Sequence, residues 1–81
     1  MIKIRFFASL RERLDISSID IEYAGQHDVQ QVMDSLINTH EKWHALAEQD
    51  VLVAINQTLS GKDCAVNDGD EIAFFPPVTG G

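Results

Sequence analysis

The residues with the most direct route to chemistry stand at the end of the chain, where Gly80 and Gly81 follow Pro76, Pro77, Val78 and Thr79. Glycine has no Cβ, so a carboxylate on Gly81 can be approached from any side and threaded through a channel too narrow for a side chain. An α-carboxylate is ionised at neutral pH, with a reference pKa of about 3.5, and in that form it is a poor acyl donor. To react it must become a mixed anhydride, for example an acyl-adenylate formed by attack on the α-phosphate of ATP. The sequence carries no phosphate-binding motif, so a partner enzyme is expected to perform that activation. Pro76 and Pro77 remove two backbone donors and fix φ, which ends sheet pairing after Phe75 and favours extended polyproline geometry. From Phe75 to the terminus the chain reaches at most about 20 Å, at roughly 3.3 to 3.6 Å per residue. That is a stiff spacer long enough to enter another protein's active site; a frayed terminus is the bland alternative.

Three other sets of residues have chemical potential and a simpler explanation. His40, Glu41, Lys42, Trp43 and His44 spell H-E-x-x-H, in which two histidines one helical turn apart bind zinc and the glutamate acts as base. That chemistry also needs a cleft, a third protein ligand and a substrate groove, so the expectation is a solvent-facing pair on a short helix anchored by Trp43 and Leu46. Cys64 is the single cysteine, which excludes an internal disulfide and suits a reducing cytoplasm. Lys62 and Asp63 beside it do not make an activating constellation, so it reads as structural. Asn67, Asp68, Gly69 and Asp70 are rich in carboxylates, but their spacing is not that of an EF-hand loop and fits a turn with Gly69 at positive φ.

The elements that position the tail follow from periodicity. Ile2, Ile4 and Phe6 alternate with Lys3, Arg5 and Phe7, predicting a half-buried opening strand that leaves Phe7 on the wrong face. Ala8 to Leu14 predicts a short helix with Leu10 and Leu14 inward, and Ile19, Ile21 and Tyr23 predict a second strand in a hairpin with the first. Asp28 and Gln31 form a capping box ahead of Val29, Val32, Met33, Leu36 and Ile37, one apolar stripe on a helix lying across the sheet. Val51 to Ile55 predicts a central strand buried on both faces, and Asn56 to Thr58 a turn that leaves Leu59 at a loop tip. Cys64 to Val66 has room for a short edge strand. In the last strand Ile72 and Phe74 point inward and Ala73 and Phe75 outward, so Phe75 repeats the anomaly of Phe7. If first and last strands are neighbours, both rings share one face at the tail exit, with Leu59 beside them. Strands gripping one major helix predict an α+β ubiquitin-like β-grasp.

At 81 residues the chain is one small domain near the lower limit for a self-sufficient core, and 44% hydrophobic residues without low-complexity runs mark it as globular. The net charge of -7 argues against nucleic acid and anionic membrane surfaces. Nothing approaches membrane-spanning length, and the alternating N-terminus is unlike a signal peptide.

The segments Ile2 to Ala8 (IKIRFFA), Ala54 to Leu59 (AINQTL) and Asp68 to Gly81 (DGDEIAFFPPVTGG) resemble the small, sulfur-carrying subunit of molybdopterin synthase, the MoaD type of the MoaD/ThiS family. The resemblance runs over the whole length and its C-terminal motif is specific, whereas Gly-Gly alone would also fit ThiS-type thiamine carriers or ubiquitin-like modifiers. It implies a β-grasp domain over residues 1–75 and an extended tail over 76–81. It implies that a MoeB-type enzyme adenylates Gly81 with ATP and that a sulfur donor converts it to a thiocarboxylate. The large, MoaE-type subunit then binds the tail, in a heterotetramer. Sulfur passes to a cyclic pterin precursor to build the dithiolene that later holds molybdenum. In this family pattern Gly81 carries sulfur, Gly80 gives access, and Phe7, Leu59 and Phe75 match the docking patch. Arg11 matches a basic position near it, and Pro76, Pro77, Val78 and Thr79 belong to the partner-bound tail. The implied protein binds no cofactor, metal, nucleic acid or membrane, is cytoplasmic, and is not catalytic alone. Rival readings are a carrier for another pathway, a modifier that forms isopeptide bonds, and a passive interaction domain.

Overall fold

A computed structural model describes residues 1–48 and 50–77. The elements are β1 (Ile2–Phe6), α1 (Ala8–Leu14), β2 (Ser18–Ile21), α2 (Val29–Thr39), a 3-10 helix (Glu41–Leu46), β3 (Leu52–Ile55), β4 (Thr58–Ser60) and β5 (Glu71–Phe75). They form one five-stranded mixed sheet in the order β2-β1-β5-β3-β4, in which only β1 and β5 run parallel. With α2 and the short helices this is the predicted α+β β-grasp. β1 and β2 are antiparallel, as expected, but α1 lies between them where a tight hairpin would have a turn.

The period-two pattern sends Ile2, Ile4, Phe6, Ile72, Phe74, Val53 and Ile55 to one face, where all are buried. α2 contributes Val29, Val32, Met33 and Leu36 to the same core, with Ile37 half-buried at its margin. Leu10 and Leu14 enter it from α1, as their spacing predicts. The 3-10 helix adds Trp43, Ala45 and Leu46. Phe6 is the centre of an aromatic stack, with ring centroids 5.4 Å from Trp43 and 6.1 Å from Phe74. Such pairs stabilise by about 0.5 to 1.5 kcal/mol beyond the area they bury. No polar or charged residue is buried among the described residues, so this core carries no desolvation penalty.

The start of α2 shows where a sequence expectation was redirected. The Asp28 carboxylate accepts from the Gln31 N–H at 2.9 Å, as in a capping box, but the Gln31 Oε1 accepts from the His27 N–H at 2.8 Å, one residue before the cap. The other exposed helix donors are met by the segment expected as an edge strand. Val29 N–H donates to the Cys64 carbonyl at 3.2 Å and Gln30 N–H to the Lys62 carbonyl at 2.9 Å. Cys64 to Val66 therefore forms no strand; it makes one bridge, Asp28 to Ala65, and spends its acceptors on the helix terminus. β2 also stops at Ile21, leaving Tyr23 half-buried beyond it.

Two further expectations change in the β3–β4 hairpin. Leu59 lies within β4, opposite Ala54, and the turn consists of Asn56 and Gln57 alone. Both have positive φ, 49° and 71°, as a primed two-residue turn requires for its twist to match the strands. β3 is not buried on both faces: Leu52 is 39% exposed, because no helix among the described residues covers the outer side of the sheet. The turn is also anchored to β5. Asn56 Nδ2 donates to the Asp70 carboxylate at 3.1 Å, Glu71 N–H donates to Asn56 Oδ1 at 3.0 Å, and Asn56 N–H donates to the Glu71 carbonyl at 2.8 Å. The Asp70 carboxylate also accepts from the Asn67 N–H at 2.8 Å, closing the expected turn in which Gly69 has φ 93°. Asn56→Ala is expected to cost about 1 to 3 kcal/mol, from left-handed strain and two lost side-chain hydrogen bonds. At roughly 4 to 8 °C per kcal/mol for a domain of this size, thermal denaturation resolves it. Asn56→Gly relieves the strain and should lose less; an alanine variant that melts like wild type would remove this clamp from the stabilising interactions.

Candidate functional site

Parallel pairing of β1 with β5 puts Phe6 opposite Phe74, so the next residues, Phe7 and Phe75, emerge together on the outer face. Phe7 N–H donates to the Phe74 carbonyl at 3.2 Å, extending the pairing by one residue. The two outer rings stack with centroids 4.8 Å apart and planes 11° from parallel. Beyond Phe75 the ladder stops, as Pro76 and Pro77 dictate by their missing donors. Pro76 and Pro77 therefore follow beside this ring pair.

Cross-strand register builds the rest of the patch. Leu52 stands opposite Phe75, and one row along the strands Leu59, Ala54, Ala73 and Arg5 lie side by side. Ala54 and Ala73 are buried although this face has no helix, so the larger side chains around them form the actual surface. Leu59 is 73% exposed and Phe7 36%. Ala8, Leu52, Leu59, Phe75, Pro76 and Pro77 line an apolar groove of about 460 Å³ at the tail exit. A contiguous set of exposed apolar side chains on a small domain makes this face a candidate interaction surface. Its charged border is Arg5, paired with Glu71 at 3.5 Å. Exposed pairs of this kind add little stability.

Of the residues singled out from sequence, Phe7, Leu59, Phe75, Pro76 and Pro77 come together here. Arg11 does not line the groove; it is exposed on α1 and borders a separate polar hollow with Glu12, Asp15, Ile16 and Ser17. Val78, Thr79, Gly80 and Gly81 lie outside the described residues. Leu52 was missed, because a run of apolar residues reads as uniformly buried; its period-two phase, opposite to that of Val53 and Ile55, was the available signal. Ala8 was also missed as part of the groove. It occupies the left-handed region at φ 54° where the chain turns from β1 into α1.

The remaining candidates are placed elsewhere. His40 is the N-cap of the 3-10 helix and not part of it, and its Nδ1 accepts from the Lys42 N–H at 3.1 Å. His40 and His44 are exposed while Trp43 and Leu46 are buried, so the H-E-x-x-H residues are not one turn apart on an α-helix. Among the described residues no group of three or more His, Cys, Asp or Glu side chains could hold a metal ion. Cys64 is half-buried against the core. No helix among the described residues is long and apolar enough to cross a membrane.

Comparison with known proteins gives a consistent answer. The ThiS family profile matches residues 4–81, reaching the terminal glycine. The molybdopterin synthase sulfur carrier subunit of Haemophilus influenzae is 45% identical over 84 residues, covering 100% of both chains. The protein of the same description from Escherichia coli is 42% identical over 83 residues, again covering 100% of both. Among solved structures, SAMP1 from Haloferax volcanii superposes with a TM-score of 0.79 at 26% identity, covering 99% of this chain and 98% of that one. With the β-grasp sheet, the paired rings at the tail exit and a match through to Gly81, the chain belongs to the ThiS family.

Proposed function

We propose that this chain is the sulfur carrier subunit of molybdopterin synthase, working through a thiocarboxylate on Gly81. The observation that carries the reading is the open apolar groove and stacked Phe7–Phe75 pair at the point where the chain leaves the sheet towards Gly80 and Gly81. It is supported by full-length relatives described as sulfur carrier subunits of that enzyme.

The chemistry divides between the chain and its partners. An oxygen of the Gly81 carboxylate attacks the α-phosphorus of ATP on a MoeB-type enzyme, forming the acyl-adenylate and releasing pyrophosphate. A sulfur nucleophile then attacks the carbonyl carbon and AMP leaves with that oxygen, so one carboxylate oxygen is replaced by sulfur. Gly80 lets the partner's channel close around the chain, and Pro76 to Thr79 carry the end across the gap between the domain and the partner's reacting centre. Phe7, Leu52, Leu59 and Phe75 anchor the domain on the large synthase subunit, in which sulfur passes to a cyclic pterin precursor for dithiolene formation. Arg11 stands on α1 outside the groove, and its role as a basic contact near the patch rests on the family resemblance. The carrier itself holds no cofactor, is not catalytic alone, and forms a heterotetramer with the large subunit. Because the chemistry requires ATP and a free carboxylate, the reading puts it in the cytoplasm. The likeness to SAMP1, a small archaeal modifier protein, keeps protein conjugation as the second reading. Immunoblots showing a ladder of heavier conjugates would favour it over sulfur transfer.

Intact-mass measurement after incubation with the adenylating enzyme, ATP and a sulfur source should show oxygen replaced by sulfur once per chain. Cys64→Ser should give the same mass change, since the acceptor is a carboxylate; loss of the change in that variant would sink the assignment. Deleting Gly81 keeps a terminal carboxylate but withdraws it by up to roughly 3.5 Å, well beyond the misplacement of about 1 Å that can cost a hundredfold. Thiolation of the shortened chain should collapse while its unfolding curve is unchanged.

The ring pairs make a second, separable prediction. Phe74 is fully buried and Phe75 half-buried, so Phe74→Ala should cost about 3 to 5 kcal/mol of stability and Phe75→Ala much less. Affinity should show the reverse, with Phe75→Ala weakening binding to the large subunit by about thirtyfold or more. Equal destabilisation in urea, or calorimetry with unchanged affinity, would put the docking surface elsewhere.

A further inference from the structure

Among the described residues, the left-handed positions fall where the chain must turn, and they differ in how well the residue type suits that conformation. Asn56 and Gln57 make a two-residue turn that demands positive φ. Asp15 closes α1, its N–H meeting the Arg11 and Glu12 carbonyls, and Gly25 and Gly69 take such angles freely. Ala8, at φ 54°, has neither the freedom of glycine nor the short polar side chain of Asn or Asp. The conformation itself is required, because the chain must turn between the Phe7 N–H bond to Phe74 and the entry of α1, where Arg11 N–H donates to the Phe7 carbonyl at 3.3 Å. The side chain is not. Alanine is disfavoured in this region, where glycine is at ease. Ala8 is exposed and is not part of the hydrophobic core. What it does is line the groove with Leu52, Leu59, Phe75, Pro76 and Pro77. Strained backbone of this sort persists where a site needs it.

We infer that Ala8 is a binding residue of the docking groove, its methyl held against the partner at the expense of a left-handed backbone. The occupant is the large synthase subunit, so the inference rests on the docking reading above. It assigns to Ala8 an apolar contact from that subunit, small enough to lie between the ring pair and the two leucines.

The test uses the full chain with Ala8→Gly, Ala8→Asn and Phe75→Ala, the urea midpoint of each, and calorimetric Kd values for the large subunit. Ala8→Gly should raise the folding equilibrium constant by up to about fivefold while weakening binding about fourfold, the factor that one buried methyl group is worth. Asparagine tolerates the same φ but puts an amide into the apolar groove, so Ala8→Asn should stay folded and bind more weakly than Ala8→Gly. If Ala8→Gly loses stability, the methyl is structural and the inference fails. If both Ala8 variants bind like wild type while Phe75→Ala does not, the inference fails and the docking reading stands. If Phe75→Ala also binds like wild type, the docking reading itself fails and takes the inference with it.

Discussion

The parallel pairing of β1 with β5, in the register that sets Phe6 opposite Phe74, is the constraint on which the rest of this molecule depends. It joins the two ends of the sequence, and every consequence follows from the pleat. On the inner side Phe6 meets Phe74 and Trp43 in the core stack. One residue further along each strand, Phe7 meets Phe75 on the opposite side. A slip of one residue in either strand would turn its outer ring towards the core and its core ring outward. The same pairing puts α1, which follows β1, beside the tail, which follows β5.

The sheet's two faces then serve different purposes. The inner face is covered by α2 and the short helices and supplies the hydrophobic stabilisation, on the order of 1.5 to 3 kcal/mol for each fully buried large side chain. Among the described residues no helix covers the outer face. A domain of this length cannot clothe both sides of five strands, and the uncovered side is where Leu52, Leu59, Phe7 and Phe75 remain accessible. The accessible apolar surface is thus shaped by which residues alternate outward. Four of the six basic residues, Lys3, Arg5, Arg11 and Arg13, lie on β1 and α1, so the rest of the chain is more acidic than the total charge suggests.

Backbone satisfaction explains the less regular parts. The segment from Lys62 to Val66 is neither strand nor free loop; its carbonyls complete the N-terminus of α2, which the Asp28 carboxylate meets only in part. Asn56 and Asp70 couple the β3–β4 turn to the start of β5. These links hold the outer strands in line, so that Leu59 and Leu52 flank Phe75 at a fixed spacing.

The local elements were legible from sequence alone because their causes are local. Alternation in Ile2 to Phe7 and in Glu71 to Phe75 is decided by which side chains avoid water, the α2 stripe by a period of 3.6, and the end of β5 by two residues that lack a donor. The chemistry proposed for Gly81 likewise needs only a terminal carboxylate without hindrance, and the anomaly of two outward aromatics was visible as a pattern. What only the tertiary structure decided was adjacency. Val51 to Ile55 carries no mark of which face stays uncovered, so the exposure of Leu52 depends on helices packing on one side alone. Whether Leu59 ends a loop or lies in a strand depends on Asn56 and Gln57 accepting positive φ, which neither residue type announces as glycine would. The use of Cys64 and Lys62 as helix caps, and of Ala8 as a groove wall, arises from contacts between segments far apart in the chain. Hydrogen bonds and van der Waals contacts act over a few ångströms of space, and sequence order specifies such distances only between near neighbours.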